Sequence, residues 1–344
     1  VADSTTQVYV VGAGGIGCIA SWVLSASGYR VCVVEADSCR REWISQHGIQ
    51  LSGWGTVRPL MIDPANFQHL DVNRVIVCVK SFDNPTVIPM VKHCKSVLMI
   101  QNGIDPRLNE IAHRTDGIAS FIGEAEKGTG RVRLSRLGAL YLGCAFKNST
   151  KEASALWLRD LCPAFRRLGI RVSDVGDILP YRNMKFVYNC AISPLASAAG
   201  VDNGKLLSDA SLRKLFLVLL SENIAIMRAG GHALAKVGPF SPDRVAAILS
   251  SPWLARVLGY WFERSLRGTY CSMSDDFISG RTELPQYLGY LLEIAGPLPC
   301  PVNRLLYQEV QSLLVRGFGP EIGIVERLTH KLDQKGLWDP FRAG

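Results

Sequence analysis

The order of apolar and polar positions divides the chain of 344 residues into two textures. In the first half, short unbroken apolar runs alternate with amphipathic segments. "QVYVVGAGG" predicts a strand running into a glycine turn, "CIASWVLSASG" a helix closed by Gly28, and "YRVCVVEAD" a second strand. "VNRVIVCVK" and "SVLMIQNG" predict two further strands, with the helical "NPTVIPMVKHC" between them. Unbroken apolar runs suit strands of a parallel sheet that is covered on both faces. Strands and helices in alternation therefore predict a doubly wound α/β sheet. The stretch "GRVRLSRLGALYLG", 130–143, has a period nearer two and predicts an antiparallel addition. The helix "EASALWLRDLCPAFRRLG" and the strand "IRVSDV" complete this part of the chain.

After "GDILP" the period turns helical, with breaks at "AAGVDNG", "GPFSPD" and "AGPLPCP". The change near Val175–Pro180 predicts one domain over 1–178 and an all-α second domain over 179–344. The final "QKGLWDPFRAG" reads as a poorly ordered tail.

The turn "GAGGIG" sharpens the first domain. Its glycines, Gly12, Gly14 and Gly17, lie between the first strand and the first helix, the context in which this spacing binds a dinucleotide. Gly12 permits the tight turn, Gly14 lets backbone approach a pyrophosphate, and Gly17 lets helix and strand pack closely. The helix N-terminus favours the negative charge. Gly15 and Ile16, inside the turn, join them as candidate cofactor contacts. The domain is thus expected to be a Rossmann dinucleotide-binding domain. Glu35 ends the second strand, where an acid bonds the adenosine ribose hydroxyls and favours NAD(H). Arg40 and Arg41 follow closely and could meet a 2′-phosphate, which keeps NADP(H) open.

Composition narrows the partners. A formal charge of +8 favours an anionic one, but the basic residues are scattered and form no block or stripe. A small anionic molecule is expected rather than nucleic acid. The ten cysteines contain no CxxC pair, and Cys32 and Cys78 sit inside apolar strands, the usage of a reducing compartment. The six histidines do not cluster, so no metal site is expected. "VADSTTQ" lacks the features of a signal peptide, and the longest apolar run, Leu215–Leu220, is too short to span a bilayer. The expectation is a cytoplasmic protein without a membrane segment.

Candidate chemistry falls in two groups. Lys80 and Asn102 each follow an apolar strand of the first domain, at the strand ends where ligands of open α/β sheets bind. The alternatives there are a snorkelling lysine and a turn asparagine before Gly103. In the second domain, "NMKFVYNCAISP" is mostly apolar yet carries Lys185, Asn189 and Ser193 at intervals of four, on one helical face. Such a line is either the wall of a site or a solvated stripe. Further on, "CSMSDDFISGRTEL" gathers Ser272, Asp275, Asp276, Arg281 and Glu283, with "SMSD" also readable as a capping box.

From "VYVVGAGGIG" through "VCVKSFD", "QNGID", "KFVYNCAISPL", "DNGKL" and "SMSDDFISGRTEL" to "PCPVNRLLY", the chain resembles the ketopantoate reductase (2-dehydropantoate 2-reductase) family in order and over nearly its whole length. The resemblance implies a Rossmann domain joined to a helical domain, an active site in the cleft between them, and hydride transfer from NAD(H) or NADP(H) to a 2-keto acid. It also implies that Lys185 is the general acid on the keto oxygen and that Asn189 and Asn203 bind substrate. Ser272 matches a ligand of the substrate carboxylate, Asp276 a residue near the substrate, and Glu283 an acid at the substrate's hydroxyl end or in support of catalysis. Lys80 and Asn102 match residues between cofactor and substrate. Ser193, a substrate contact by position, stands where many members carry asparagine. Ala36 stands where NADP-dependent members often carry arginine, and Pro285 replaces a common aspartate. The chemistry needs such groups, because hydride addition to a ketone builds negative charge on oxygen that a cation or acid must neutralise. Other readings are a non-catalytic dinucleotide-sensing protein and a reductase of an imine or other biosynthetic intermediate. A homodimer is compatible with the many apolar helices.

Overall fold

The computed structural model describes residues 6–67, 69–145, 151–249, 251–274, 277, 282–317 and 319–338. The chain divides into two compact units, Val1–Leu179 and Pro180–Gly344. The first holds strands β1 (Gln7–Val11), β2 (Arg30–Val34), β3 (Ile49–Leu51), β4 (Gly55–Val57), β5 (Leu60–Ile62) and β6 (Arg74–Val77). It continues with β7 (Ser96–Ile100), β8 (Arg114–Ala119), β9 (Ile122–Ala125), β10 (Arg131–Arg136), β11 (Ala139–Cys144) and β12 (Arg171–Asp177). Its helices are α1 (Gly15–Ala26), α2 (Ser38–His47), α3 (Pro64–Phe67), α4 (Asn84–Val91) and α5 (Lys151–Arg166).

Eight strands form one sheet in the order β12-β11-β8-β7-β6-β1-β2-β5. From β5 to β8 all neighbours are parallel, while β11 runs antiparallel to β8 and parallel to β12. The strand order reverses at β1, with β2 on one side and β6 on the other, so a switch point lies beside the turn that follows β1. Alternate residues of β1 explain its unbroken apolar run. Val8 and Val10 enter a core with Ile19 and Val23 of α1 and Trp157 and Phe165 of α5. Tyr9 and Val11 point the other way, into a core with Val87, Ile88 and Val91 of α4. Both faces are buried, as the pattern predicted.

One expectation needs correction. Residues 130–143 are not a single antiparallel addition. β10 belongs to a second sheet, ordered β4-β3-β10-β9, while β11 joins the main sheet. The chain changes sheets at Leu137–Gly138, where a Cβ on Gly138 would stand 2.6 Å from the backbone of Ser120 and Phe121. The close approach to that backbone needs glycine, and no periodicity reports it.

The second unit contains α6 (Leu179–Ala199), α7 (Asn203–Ser208), α8 (Ala210–Ala229), α9 (Pro242–Leu249) and α10 (Pro252–Leu266). A π-helical turn, Pro285–Gly289, leads into α11 (Tyr290–Ala295), followed by α12 (Pro301–Val315) and α13 (Gly323–Lys335). Among the described residues this unit has no strand, so an α/β unit followed by a helical one is the observed fold class. The expected loose tail is ordered as far as described: Gly336 closes α13 at φ 61°, and the Lys214 ammonium lies 3.5 Å from the Trp338 ring centroid. Residues 339–344 lie outside the described residues.

A buried carboxylate, unmarked by any sequence pattern, holds this unit together. Glu222 on α8 is 2% exposed and accepts hydrogen bonds from Val302 N at 3.1 Å, Asn303 N at 3.0 Å and Asn303 Nδ2 at 2.7 Å. It thereby caps α12 from another helix. Burial pushes its pKa up, and the hydrogen bonds from Asn303 and Val302 work against that shift. Glu222→Ala strands three buried donors and is expected to cost about 3 kcal/mol of stability, read as a lower denaturation midpoint at unchanged m.

Candidate active site

The glycine turn is built by close backbone approaches. Gly12 has φ +91°, a left-handed value that strains any side chain. A Cβ on Gly17 would lie 1.8 Å from the Gly12 carbonyl oxygen, so only glycine lets α1 start against the turn. A Cβ on Gly15 would lie 1.9 Å from the Gly123 carbonyl oxygen, because β9 of the small sheet crosses the start of α1 there. Gly14 differs: where its Cβ would point there is no heavy atom within 4 Å. That open side and the uncapped first turn of α1, which includes Ile16, suit a pyrophosphate.

Glu35 is 8% exposed, and its carboxylate is anchored to backbone at both oxygens. Oε2 accepts from Ala13 N at 2.7 Å and Oε1 from Asp37 N at 2.9 Å. The acid thus clips the glycine turn to the end of β2, and each oxygen keeps a lone pair for a ribose hydroxyl. The two arginines separate. Arg41 is committed, with Nη1 donating to Glu35 O at 2.7 Å and Nη2 paired with Asp63 at 2.7 Å. Arg40 lies along the turn, its Nη1 donating to Ala13 O at 3.2 Å and its Nε buried without a partner.

Lys80 and Asn102 follow β6 and β7, and a network that sequence reasoning missed braces the chain beside them. Gln101 Nε2 donates to Val79 O at 2.9 Å and to Asn84 Oδ1 at 2.8 Å. Asn84, fully buried, donates to Asp105 Oδ2 at 2.7 Å. Burial of Asp105 opposes its ionisation, but hydrogen bonds from Arg107 and Asn84 outweigh that and hold its carboxyl below the usual range. The network ties the turn after β7 to the one after β6. Its only sequence signal was polar residues next to strand ends.

In the second unit α6 is buried nearly all round. Met184, Phe186, Val187 and Cys190 are fully buried, Lys185 and Asn189 are half-buried, and Ser193 is 3% exposed. Ser193 does not belong to a solvated stripe. Asn189 Nδ2 is buried with no hydrogen-bond partner. The turn that carries Ser272 is pinned to α6 through its neighbour: Cys271 Sγ lies 3.0 Å from Ser197 Oγ and 3.6 Å from Ser193 O.

Glu283 is 2% exposed and accepts from Tyr287 Oη at 3.1 Å. Tyr287 is fully buried, and Ser272 hydrogen-bonds the same hydroxyl. Burial first, and then the Glu283 carboxylate, push the Tyr287 phenol far above its ordinary range. Its ring stands edge-on to Phe186 at 6.5 Å between centroids. Tyr287 therefore joins Ser272 and Glu283 to the helix segment that carries Lys185. Sequence reasoning missed it; the one available signal was its place four residues after Glu283 on a helical turn. Asn203 stands at the start of α7, donating from N to Thr269 O at 2.9 Å and from Nδ2 to Thr269 Oγ1 at 3.2 Å. Its Oδ1 is buried and unpartnered. Asp275, the acid that would close the capping box, lies outside the described residues, as do Asp276 and Arg281.

The family described as ketopantoate reductase PanE/ApbA matches residues 8–147, and its C-terminal part matches residues 177–313. The chain belongs to the ketopantoate reductase PanE/ApbA family. It is 23% identical over 314 residues to a 2-dehydropantoate 2-reductase of Pyrococcus horikoshii, covering 89% of this chain and 97% of that one. A PanE/ApbA family ketopantoate reductase from Ralstonia eutropha has the same fold, with a TM-score of 0.69 at 21% identity over 91% of this chain and 99% of its own. D-mandelate dehydrogenase in a ternary structure with NADH and anilino(oxo)acetate superposes with a TM-score of 0.73 at 17% identity, over 91% and 99% of the two chains. Membership makes the protein an oxidoreductase of the ketopantoate reductase type, with a nicotinamide dinucleotide as cofactor and a 2-keto acid as the class of substrate. The residues of the glycine turn fit that cofactor. Among the described residues no helix is long and apolar enough to cross a membrane, and no group of His, Cys, Asp and Glu could hold a metal ion.

Proposed function

We propose that this protein reduces a branched or bulky 2-keto acid, ketopantoate first among them, using NADH, with Lys185 as the general acid. The observation that carries the reading is the hydrogen-bonded set Ser272–Tyr287–Glu283, packed through Tyr287 against Phe186 of α6, the helix that also carries Asn189 with its buried Nδ2 unpartnered. A fully buried phenol linking a serine to a carboxylate is costly unless each group is hydrogen-bonded. Such a set can fix the orientation of a polar substrate.

The roles follow from chemistry. When bound, the nicotinamide supplies the hydride. The Lys185 ammonium donates a proton to the ketone oxygen and neutralises the charge that gathers there. Asn189 Nδ2 donates to the substrate, and Asn203 Oδ1 accepts from a hydroxyl. Ser272 turns its one hydroxyl proton from Tyr287 Oη to the substrate carboxylate. Glu283, held by Tyr287, accepts from the substrate's far end. Lys80 and Asn102 touch cofactor and substrate, and Asp276 completes the polar lining. Ser193 is shorter than the asparagine common in the family and leaves room for a bulkier acid. The likeness to D-mandelate dehydrogenase, solved with NADH, supports that direction and the choice of cofactor.

For NADH over NADPH, the support is Glu35, whose charge beside the ribose disfavours a 2′-phosphate, and Arg41, already paired with Asp63. The cytoplasm, as the compartment of ten free cysteines, belongs to the same reading. The test is an assay of NADH and NADPH oxidation against ketopantoate and several branched and aromatic 2-keto acids. NADH consumption with at least one acid, faster than with NADPH, is expected. No oxidation of either cofactor across the panel would replace the reading with dinucleotide sensing.

A further inference from the structure

Two neighbouring strands of the main sheet are each followed by an acid. β2 and β5 run parallel with Val34 opposite Ile62, so Glu35 and Asp63 come next on each. Glu35 N donates to Ile62 O at 3.3 Å. This is the carboxyl end of the strands, where ligands of open α/β sheets bind. Arg41, in the first turn of α2, fills the corner between the two acids. Its Nη1 donates to Glu35 O at 2.7 Å and Ala36 O at 3.3 Å, and its Nη2 meets Asp63 Oδ2 at 2.7 Å. Arg40 is turned away from that corner, toward Ala13 O and Glu126 O.

Asp63 has a structural task, but the task occupies one carboxylate oxygen. Oδ1 accepts from Ala65 N at 2.9 Å, while the Asp63 carbonyl accepts from Asn66 N and Phe67 N, and together these bonds start α3. Oδ2 has no part in that cap and faces Arg41 instead. The pair is partly exposed, with 23% of the arginine and 40% of the aspartate side chain open to solvent, so it adds little to stability. Its effect on a ligand is larger. A ribose 2′-phosphate carries about two negative charges and is recognised through a cation that it can pair with. Asp63 already occupies that cation, and it sets a second carboxylate beside Glu35 against the phosphate. Discrimination by repulsion and by a withheld partner needs no contact with the favoured cofactor.

We propose that Asp63 is a specificity-determining residue, which disfavours NADPH by holding Arg41. The inference rests on the dinucleotide site and the choice of NADH given above. Asp63→Asn separates the two tasks of the residue. The amide oxygen keeps the bond to Ala65 N, so the amide nitrogen takes the place of Oδ2 and sets donor against donor at Arg41. The cap of α3 survives while the arginine is released.

Fluorescence titration of NADH and NADPH gives both dissociation constants without catalysis, and thermal melts check folding. Calorimetric titration of adenosine 2′,5′-bisphosphate beside AMP isolates the 2′-phosphate. Asp63→Asn is expected to lower the NADPH Kd at least ~10-fold, the worth of one charge-assisted hydrogen bond, and to leave the NADH Kd within about two-fold. The bisphosphate should follow NADPH, and AMP should follow NADH. Adding Arg41→Ala is expected to abolish the gain. Asp63→Ser, whose hydroxyl also caps a helix, should behave like Asp63→Asn. An unchanged NADPH Kd in both folded variants, a gain that survives Arg41→Ala, or equal tightening of both cofactors would each overturn the proposal. The preference of the unaltered protein tests the choice of NADH, whereas its change on substitution tests Asp63, so either can fail without the other.

Discussion

Replacing Lys185 by alanine is expected to lower kcat by about 10²–10⁴-fold, the usual contribution of a positioned general acid. NADH affinity should change by less than about two-fold, because the glycine turn belongs to the first unit and Lys185 to the second. The size of the effect follows from the helix. Met184, Phe186 and Val187 around the lysine are fully buried, so α6 cannot rotate to offer another donor. The aromatic contacts of Phe186 with Tyr287 and Tyr290 hold the same register. Steady-state kinetics with the best keto acid, beside a fluorescence titration of NADH, separates the two quantities. Turnover retained in the variant would remove Lys185 from the chemistry. A parallel loss of NADH binding would make it structural.

The second large effect is expected in the glycine turn, and two substitutions divide it. Gly17→Ala places a Cβ 1.8 Å from the Gly12 carbonyl oxygen. Neither atom sits on a side chain that can rotate away, so α1 must shift against β1. A cost of about 3 kcal/mol or more is expected, with dinucleotide affinity lost alongside. Gly14→Ala is its counterpart: its φ of −72° suits any residue, and the new methyl meets no protein atom within 4 Å. Its thermal melt should match that of the unaltered protein while NADH binding weakens at least tenfold, about 1.4 kcal/mol. Unchanged NADH affinity in Gly14→Ala would show that no pyrophosphate approaches that backbone.

How much could be read in advance depended on the range of each interaction. The strand, turn and helix of 7–26 were legible because their determinants are local: an apolar run, glycines at set intervals, a helical period. The long helix around Lys185 was legible for the same reason, as was the change from strand to helical texture near residue 180. The small second sheet was not. β3 and β4 have three residues each, and β3 pairs in parallel with β10, about eighty residues away. No periodicity can develop over three residues, so residues 130–143 looked like one addition to the main sheet.

The candidate site divides along the same line. Glu35 was placed by its distance from Gly17, but its two bonds to backbone nitrogen, one of them in the glycine turn, depend on how β2 returns beside β1. Gly15 reads as part of a cofactor motif, yet its size is also dictated by Gly123, which a different strand brings across α1. Tyr287 and Glu222 were invisible because a buried tyrosine and a buried carboxylate carry no pattern of their own. Each acquires a role only when a partner from another segment supplies the hydrogen bond that makes burial tolerable.

By itself, then, the sequence determined the α/β and helical halves of this protein, its dinucleotide turn, and the family to which its motifs belong, since all of these rest on residues near one another in the chain. Only the tertiary structure decided which acids and amides are buried, which backbone groups they satisfy, and which of two neighbouring arginines an acid holds. Those outcomes depend on desolvation and on contacts between distant segments, which exist only once the chain has folded.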